Sequence, residues 1–454
     1  MTRQIPESVL KVFHTLNNHN FESYLVGGSV RDLLLQRPVK DWDLTTNAPP
    51  AELTEIFKDG FYNNQFGTVG IPAEIDGKPQ VIEVTTFRTE VSKTPTHKPD
   101  IVSWGKNIEE DLGRRDFTIN AIAMRQDGEL IDPYFGEKDL ERKIIKAVGD
   151  PGLRFKEDAL RLLRAVRIAT ELEFTIEEHT LRQITEDAPL LKHISWERIN
   201  TELLRILASK NAYEGIMLLY KLKLLEYILP ELVRGVGISQ ARPGRHHTED
   251  VFTHNVLSLK YCPSNDPLVR FSTLIHDIGK PNVEAKDEKG LVIFHNHEMV
   301  GAKMAAEICD RLRFSKKEKE KVVTLVRWHM FSVNENQTDA AVRRFIRRIG
   351  TENIRDMMDL RIGDRLGGGT QTAESWRLKL FKKKVEKQLQ PAPFSVNDLA
   401  VDGNDVMKIL KIKPGPIVGK ILQQLFEEVD EDLSKNNKEF LDRRIDGLGK
   451  DLVK

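Results

Sequence analysis

Cysteine is nearly absent: the 454 residues contain two, Cys262 and Cys309. Two cysteines without metal-type spacing exclude a disulfide framework and fit a reducing compartment such as the cytoplasm. The N-terminus lacks a basic-then-apolar leader, and no run of about 18 apolar residues occurs, so neither secretion nor a membrane-spanning helix is expected. Net charge is also missing, with 69 Lys and Arg against 69 Asp and Glu. A chain of zero formal charge does not attract polyanions as a whole, so any nucleic-acid surface must arise from local clustering. One cluster stands out, residues 311–390, with 20 Lys and Arg against 10 Asp and Glu. There is no convincing internal repeat and no low-complexity tract.

What is present suits several packed domains, with 40% hydrophobic and 30% charged residues. Residues 5–18 read as an amphipathic helix carrying Val9, Leu10, Val12, Phe13 and Leu16. Short β-like runs follow at 23–26, 41–44, 67–71, 81–86 and 121–124, several of them separated by Gly27-Gly28, Asp76-Gly77 and Asp127-Gly128. After Gly149-Asp150-Pro151-Gly152 the strand signal stops and helical patterning runs to the end. Breaks at 239–247 and at Gln390-Pro391-Ala392-Pro393 interrupt it, and Gly367-Gly368-Gly369 reads as a flexible loop.

The chemistry begins at Leu25-Val26-Gly27-Gly28-Ser29-Val30-Arg31-Asp32, a strand entering two glycines and a helix start. Glycines let backbone approach a phosphate closely, and Arg31 offers a forked contact. Ten residues beyond Arg31 comes Asp41-Trp42-Asp43. On a strand, residues i and i+2 share a face, so Asp41 and Asp43 present two carboxylates side by side. Mutual repulsion makes a divalent cation their natural partner, and Mg²⁺ takes one or two carboxylates plus substrate phosphates. Paired metals activate an attacking hydroxyl and stabilise leaving pyrophosphate. Glu83 and Asp116 are both open as a third carboxylate. The stretch Arg114-Arg115-Asp116-Phe117-Thr118-Ile119-Asn120-Ala121 alternates like a half-buried strand with arginines ahead of it. A helix over 157–167 sets Arg161, Arg164 and Arg167 within an arc of about 120°. Within that segment only Glu157 and Asp158 oppose the three, a surplus of positive charge suited to a triphosphate.

Together these motifs resemble the class II tRNA nucleotidyltransferases, the group of CCA-adding enzymes and bacterial poly(A) polymerases. The likeness runs through Gly27-Gly28…Arg31-Asp32, Asp41-x-Asp43, Arg114 to Ala121, Asp132-Pro133…Gly136…Asp139-Leu140, Gly149-Asp150-Pro151 and Glu157-Asp158…Arg161…Arg164…Arg167. It implies an α+β chain with a polymerase-β-like head holding a small mixed β-sheet. An all-helical neck, a helical domain and a helical tail would follow. Carried over by position, Asp41 and Asp43 would hold Mg²⁺ and carry catalysis, and Gly28, Arg31 and Arg115 would contact the nucleotide. Asp158 and Arg161 would read the base, while Arg164 and Arg167 would help hold the nucleotide. Base reading has a physical logic. Cytosine and adenine both set an amino donor beside a ring-nitrogen acceptor, which a carboxylate and a guanidinium match. Guanine and uracil place a carbonyl there and are rejected.

A second constellation lies further on. His254, His276-Asp277, His297, His329 and Asp364 follow the order of an HD phosphohydrolase, around Leu274-Ile275-His276-Asp277-Ile278-Gly279-Lys280. His254, His276, Asp277 and Asp364 are the expected ligands of one cation, a divalent transition metal or Mg²⁺. The resemblance suggests phosphomonoesters or 2′,3′-cyclic phosphates as substrates. The basic region also contains Arg343-Arg344 and Arg347-Arg348, read as one phosphate-tracking helix face. Ile412 to Gly419 resembles a tail segment whose glycine loop meets the tRNA backbone.

The expected domains are a catalytic head over 1–150, a neck over 151–240, an HD-type metal domain over 241–390 and a tail over 391–454. The expected activity is addition of CMP and AMP, from CTP and ATP, to the 3′ end of tRNA in the cytoplasm. Partial CC- or A-addition, poly(A) synthesis, an HD hydrolase with a relic head, and an inactive RNA-binding chaperone are the competing readings. Residues 88–111 are expected to include the loop that separates the transferase activities.

Overall fold

A computed structural model describes residues 5–62, 67–91, 101–105, 107–240, 249–331, 333–334, 336–389 and 395–452. Most of the breaks expected at 239–247 and 390–393, and residues 92–100 and 106 of the 88–111 stretch, lie outside the described residues. The fold is α+β, and two compact units divide it: Met1–Val236 with Glu307–Ser315, and Gly237–Ala306 with Lys316–Lys454.

The first unit opens with α1 (Glu7–Asn18), which buries Val9, Val12, Phe13 and Leu16, the stripe its periodicity requires. Seven strands then form one mixed sheet: β1 (Ser23–Val26), β2 (Trp42–Thr46), β3 (Phe61–Tyr62), β4 (Thr68–Ile75), β5 (Lys78–Thr86), β6 (Ala123–Met124) and β7 (Leu130–Ile131). Their order is β3-β4-β5-β2-β1-β6-β7. Only β2 and β5 run parallel, in a register that sets Asp43 opposite Glu83. The tight β4–β5 hairpin turns on Asp76 and Gly77, both at positive φ. Between β1 and β2 lies α2 (Gly28–Leu34).

Three local expectations change. Residues 117–121 are not a strand: Phe117, Ile119 and Ala121 are all fully enclosed, and Thr118–Asn120 forms a 3₁₀ turn. The Asp116 carboxylate accepts from the Phe117 N–H and the Asn120 side chain, curling the backbone locally. The helix expected over 157–167 is broken into α3 (Pro151–Glu157) and α4 (Leu160–Leu172). Asp158 between them is extended, and its carboxylate accepts from the Leu160 N–H. Strand pairing also continues beyond Gly149: Ile144–Ile145 pairs in parallel with Thr175–Ile176. Against α4 packs α5 (Trp196–Ala208).

Among its described residues the second unit is mainly helical, with a short hairpin, Ala285–Lys286 with Val292–Ile293. Its helices include α6 (Val251–Tyr261), α7 (Pro267–Ile275), α8 (His297–Arg311, with residues to Ala306 in this unit), α9 (Lys316–Trp328), α10 (Asp339–Ile349) and α11 (Ile354–Gly367). There follow α12 (Trp376–Leu389), α13 (Gly403–Leu410), α14 (Pro416–Glu431) and α15 (Lys438–Leu452). Gly367 ends α11 rather than opening a flexible loop. A Cβ at Gly363 would lie 2.5 Å from the Ser258 carbonyl oxygen, and one at Gly367 2.6 Å from the Ser258 nitrogen. These glycines let α6 and α11 approach backbone to backbone.

Two arginines of the α10 face are committed to α14. Arg343 donates to Asp430 of α14 at 2.6 Å, and Arg347 pairs with the same carboxylate at 2.5 Å while lying over the Phe426 ring. Arg344 reaches Glu431, and Arg348 lies over Trp328. No described helix is long and apolar enough to cross a membrane.

Asp430 is buried between two arginines, so its loss strands charge in the interior. Asp430→Ala is expected to lower the stability of the second unit by about 3 kcal/mol, measured by urea unfolding. Replacing Arg343 and Asp430 together by apolar residues recovers most of that loss.

Candidate functional site

Gly27 adopts φ 71°, a conformation side chains resist. A Cβ there would sit 2.9 Å from Arg115 Nη1 and 3.9 Å from Asp43 Oδ2. The glycine turn thus lets β1, Arg115 and the Asp43 carboxylate converge. Burial pushes the Asp43 carboxyl up to about 6, and the nearby charge of Glu83, then that of Asp41, adds to the shift. Arg115 and Arg31 pull it back only in part. A carboxylate crowded by two others at a partly exposed position has the donor chemistry of a divalent-cation site. Glu83 reaches it because parallel pairing places it directly opposite Asp43.

Asp116, the other third-carboxylate candidate, is turned elsewhere. It receives Arg164 Nε at 2.8 Å and Nη2 at 2.6 Å. Burial opposes its ionisation, but Arg164 and the Asn120 amide outweigh that and hold it well below the usual carboxylate range.

Each arginine near the acidic corner is oriented by a carboxylate. Arg31 donates to Asp32 at 2.9 Å and to the Asn120 side-chain oxygen at 2.9 Å. Asp111, fully enclosed, takes Arg114 on one oxygen at 2.7 Å and Arg115 on the other at 2.9 Å. Against its burial, those two guanidiniums hold Asp111 down to about 2. Gly28 begins α2, where a Cβ would sit 3.4 Å from Arg31 Nη2.

The positive surplus read from 157–167 is absorbed by carboxylates distant in sequence. Arg164 takes Asp116, and Arg167 is enclosed with Glu202 of α5 at 3.2 Å. Burial dominates in that second pair, raising Glu202 and lowering Arg167 to about 10. Asp158 is gripped by both ends of Arg198, at 3.1 and 2.8 Å. Arg161 donates to Glu157 at 2.6 Å and to the carbonyl oxygens of Arg154 and Arg114. Arg198, Glu202 and Asp111 carry no motif signal; only the fold brings them to the site.

In the second unit, His254 from α6, His276 and Asp277 beyond the end of α7, and Asp364 from α11 come together. His254 Nε2 lies 3.4 Å from Asp277 Oδ2 and 3.3 Å from Asp364 Oδ1; His276 Nε2 lies 3.2 and 3.7 Å from the same atoms. His297 and His329 join them, their Nε2 atoms 3.2 and 3.5 Å from Asp277 Oδ1. Gly279 makes this possible, since a Cβ there would lie 2.2 Å from the His297 carbonyl oxygen. Lys280 bonds both Asp277 and Gln240, and Arg361 bonds Asp364 at 3.0 Å.

Three family models match the chain. Residues 23–146 match the poly A polymerase head domain, 173–234 the RNA and SrmB-binding site of polymerase A, and 286–444 tRNA nucleotidyltransferase domain 2. An A-adding tRNA nucleotidyltransferase of Deinococcus radiodurans is 35% identical, over 89% of this chain and 90% of that protein. A CCA-adding enzyme of Limosilactobacillus reuteri is 32% identical over 99% of both. The crystal structure of the Bacillus stearothermophilus CCA-adding enzyme in complex with CTP superposes with a TM-score of 0.73 at 26% identity, covering 98% of each chain.

Two outcomes follow from this geometry. The folded-state pKa of Asp43 lies above its ordinary 3.8. Ionising it therefore costs stability, a cost absent below about pH 4 and fully present above about pH 6. In chelator-treated protein, Asp43→Asn is expected to stabilise the fold by roughly 1–3 kcal/mol at pH 7.5 and to lose that advantage at pH 4, as read by thermal denaturation. Gly279→Ala is expected to cost about 2 kcal/mol or more through backbone overlap, with the loss measured by urea unfolding of the second unit.

Proposed function

The chain belongs to the class II tRNA nucleotidyltransferases, and from that premise we propose that it adds CMP and AMP, from CTP and ATP, to the 3′ end of tRNA. The observation that carries this reading is the crowded corner of Asp41, Asp43 and Glu83 facing the oriented guanidiniums of Arg31 and Arg115. Asp41 and Asp43 hold Mg²⁺, with Glu83 as the third carboxylate. When bound, the cation lowers the barrier to attack by the tRNA 3′-hydroxyl and neutralises the departing pyrophosphate. Gly28 lets the nucleotide approach the backbone, while Arg31 and Arg115 fix the triphosphate. Asp32, Asn120 and Asp111 position those two arginines.

Asp158 and Arg161 read the base. The Arg198 fork fixes the plane of the Asp158 carboxylate that meets the base amino group. The bonds of Arg161 take both hydrogens of Nη1 and one of Nη2, leaving two N–H groups for a ring nitrogen. Arg164, a third exposed, meets the nucleotide, and Arg167 acts through Glu202. The domains run as head 1–150, neck 151–240, HD-type domain 241–390 and tail 391–454. The Ile412 to Gly419 turn between α13 and α14 meets the tRNA backbone, and the protein works in the cytoplasm.

A-only addition is the second transferase reading, favoured by the identity to the Deinococcus A-adding enzyme. The imidazole and carboxylate cluster supports an additional metal-dependent phosphohydrolase. His254, His276, Asp277 and Asp364 hold a divalent transition metal or Mg²⁺ there, and the substrates are phosphomonoesters or 2′,3′-cyclic phosphates.

Extension of tRNA transcripts ending before CCA, after C and after CC, with CTP and ATP singly and together, tests the proposal. Growth of all three to a complete CCA end is expected. Extension of the CC-ended transcript alone establishes A-addition instead, and poly(A) growth on arbitrary RNA refutes the tRNA reading. Asp41→Ala and Asp43→Ala should each lower extension by about a thousandfold or more, corresponding to several kcal/mol of lost charge stabilisation. Asp158→Ala should reduce discrimination against UTP and GTP by roughly a hundredfold, read as incorporation ratios.

A further inference from the structure

Four residues stand in one row across the sheet of the first unit. Phe61 of β3 pairs with Gly70 of β4, Gly70 with Glu83 of β5, and Glu83 with Asp43 of β2. Directly paired residues project from the same face, so Phe61 belongs to the face that carries the acidic corner. The opposite face is core, with Trp42, Val69, Ile82 and Val84 all buried. Gly70 leaves the row open at its middle, and the Phe61 ring fills the opening. A Cβ at Gly70 would lie 2.7 Å from Phe61 Cζ and 3.0 Å from Val81 Cγ1. Phe61 is nevertheless 46% exposed and Val81 41%. The ring therefore rests on β4, one strand from Glu83 and two from Asp43, about 5 and 10 Å away. With Val81 it forms an apolar shelf at the rim of a charged site.

The side on which the shelf lies decides which reactant meets it. In the order β3-β4-β5-β2-β1 the carboxylates occupy the middle. Arg115 reaches in beside Gly27 at the end of β1, on the far side from Phe61. A triphosphate held by Arg31 and Arg115 directs its departing pyrophosphate toward β1. Nucleotidyl transfer is an in-line displacement, with attacking and leaving oxygens on opposite sides of phosphorus. The RNA 3′-hydroxyl must then come from the β4–β3 side, past the shelf. We propose that Phe61, supported by Val81, stacks the terminal base of the RNA acceptor and so sets its 3′-hydroxyl against the α-phosphorus. This rests on the transferase reading above and gives it a substrate-contacting residue that no motif marks. Every base offers a π face, so such a platform accepts a C or an A end equally, as stepwise addition demands. Phe61 also shields Gly70, but shielding needs only apolar cover, whereas stacking needs an aromatic ring.

Steady-state extension by the full-length protein, on tRNA transcripts that the wild type extends, tests this. Phe61→Leu keeps the apolar cover over Gly70 and removes the π face. It is expected to lower kcat/KM for tRNA about tenfold and to leave the KM for the nucleotide unchanged, while Phe61→Tyr retains wild-type kcat/KM. A transcript whose last nucleotide is abasic should cost the wild type the same factor and cost Phe61→Leu nothing further. Wild-type kcat/KM in Phe61→Leu overturns the stacking contact. So does equal impairment in Phe61→Tyr, or an abasic loss that adds to that of Phe61→Leu. In each of these cases the transferase reading stands. Failure of the wild type to extend any tRNA end overturns both.

Discussion

Two acidic residues on neighbouring parallel strands, Asp43 and Glu83, stand directly opposite each other with Asp41 close by. Their repulsion is the constraint on which the first unit turns. The arginines nearby do not cancel it, because each is already held by another carboxylate: Arg115 by Asp111 and Arg31 by Asp32. The corner therefore keeps a negative floor beside a positive wall. That is the electrostatic shape of a cation-bearing triphosphate, with the metal on the floor and phosphate oxygens toward the wall.

Around this corner the fold uses buried ion pairs for geometry more than for stability. Removing two charges from water costs about as much as their attraction returns. Asp116 with Arg164, Arg167 with Glu202 and Asp158 with Arg198 contribute little net free energy. They do fix guanidinium and carboxylate planes to within a hydrogen bond's tolerance. Asp116 links the Arg114-Arg115-Asp116 segment to α4, and Glu202 links α4 to α5, so one rigid frame carries the candidate nucleotide contacts. The second unit follows the same logic. Asp430 ties α10 to α14 through Arg343 and Arg347, and Gly279, Gly363 and Gly367 permit the close approaches that converge on Asp277.

Local pattern made much of this legible from sequence. The α1 stripe, the strand of the Asp-x-Asp motif, the Gly27-Gly28 turn and the Asp76-Gly77 hairpin are set by neighbours within a few residues, so periodicity and turn chemistry reveal them. What stayed hidden depends on partners far along the chain. Three arginines over 157–167 read as surplus because Asp116 and Glu202 lie some 35–48 residues away. Arg343 and Arg347 of α10 gave no sign of their pairing because Asp430 lies more than 80 residues on. Alternation at Phe117, Ile119 and Ala121 imitated a strand, although burial on every side removes the two-faced environment that alternation normally reports. His297 and His329 were visible as histidines in order, but their direction toward Asp277 depends on where their Nδ1 atoms bond.

The most direct measurement of the central claim is Fe²⁺-mediated hydroxyl-radical cleavage of the full-length protein, in which bound iron cuts the backbone beside its own ligands. Cuts are expected at Asp41–Asp43, where β2 begins, and in β5 near Glu83, both suppressed by excess Mg²⁺ and both lost in Asp43→Asn. Cleavage confined to the histidine cluster, with β2 and β5 intact, would contradict it.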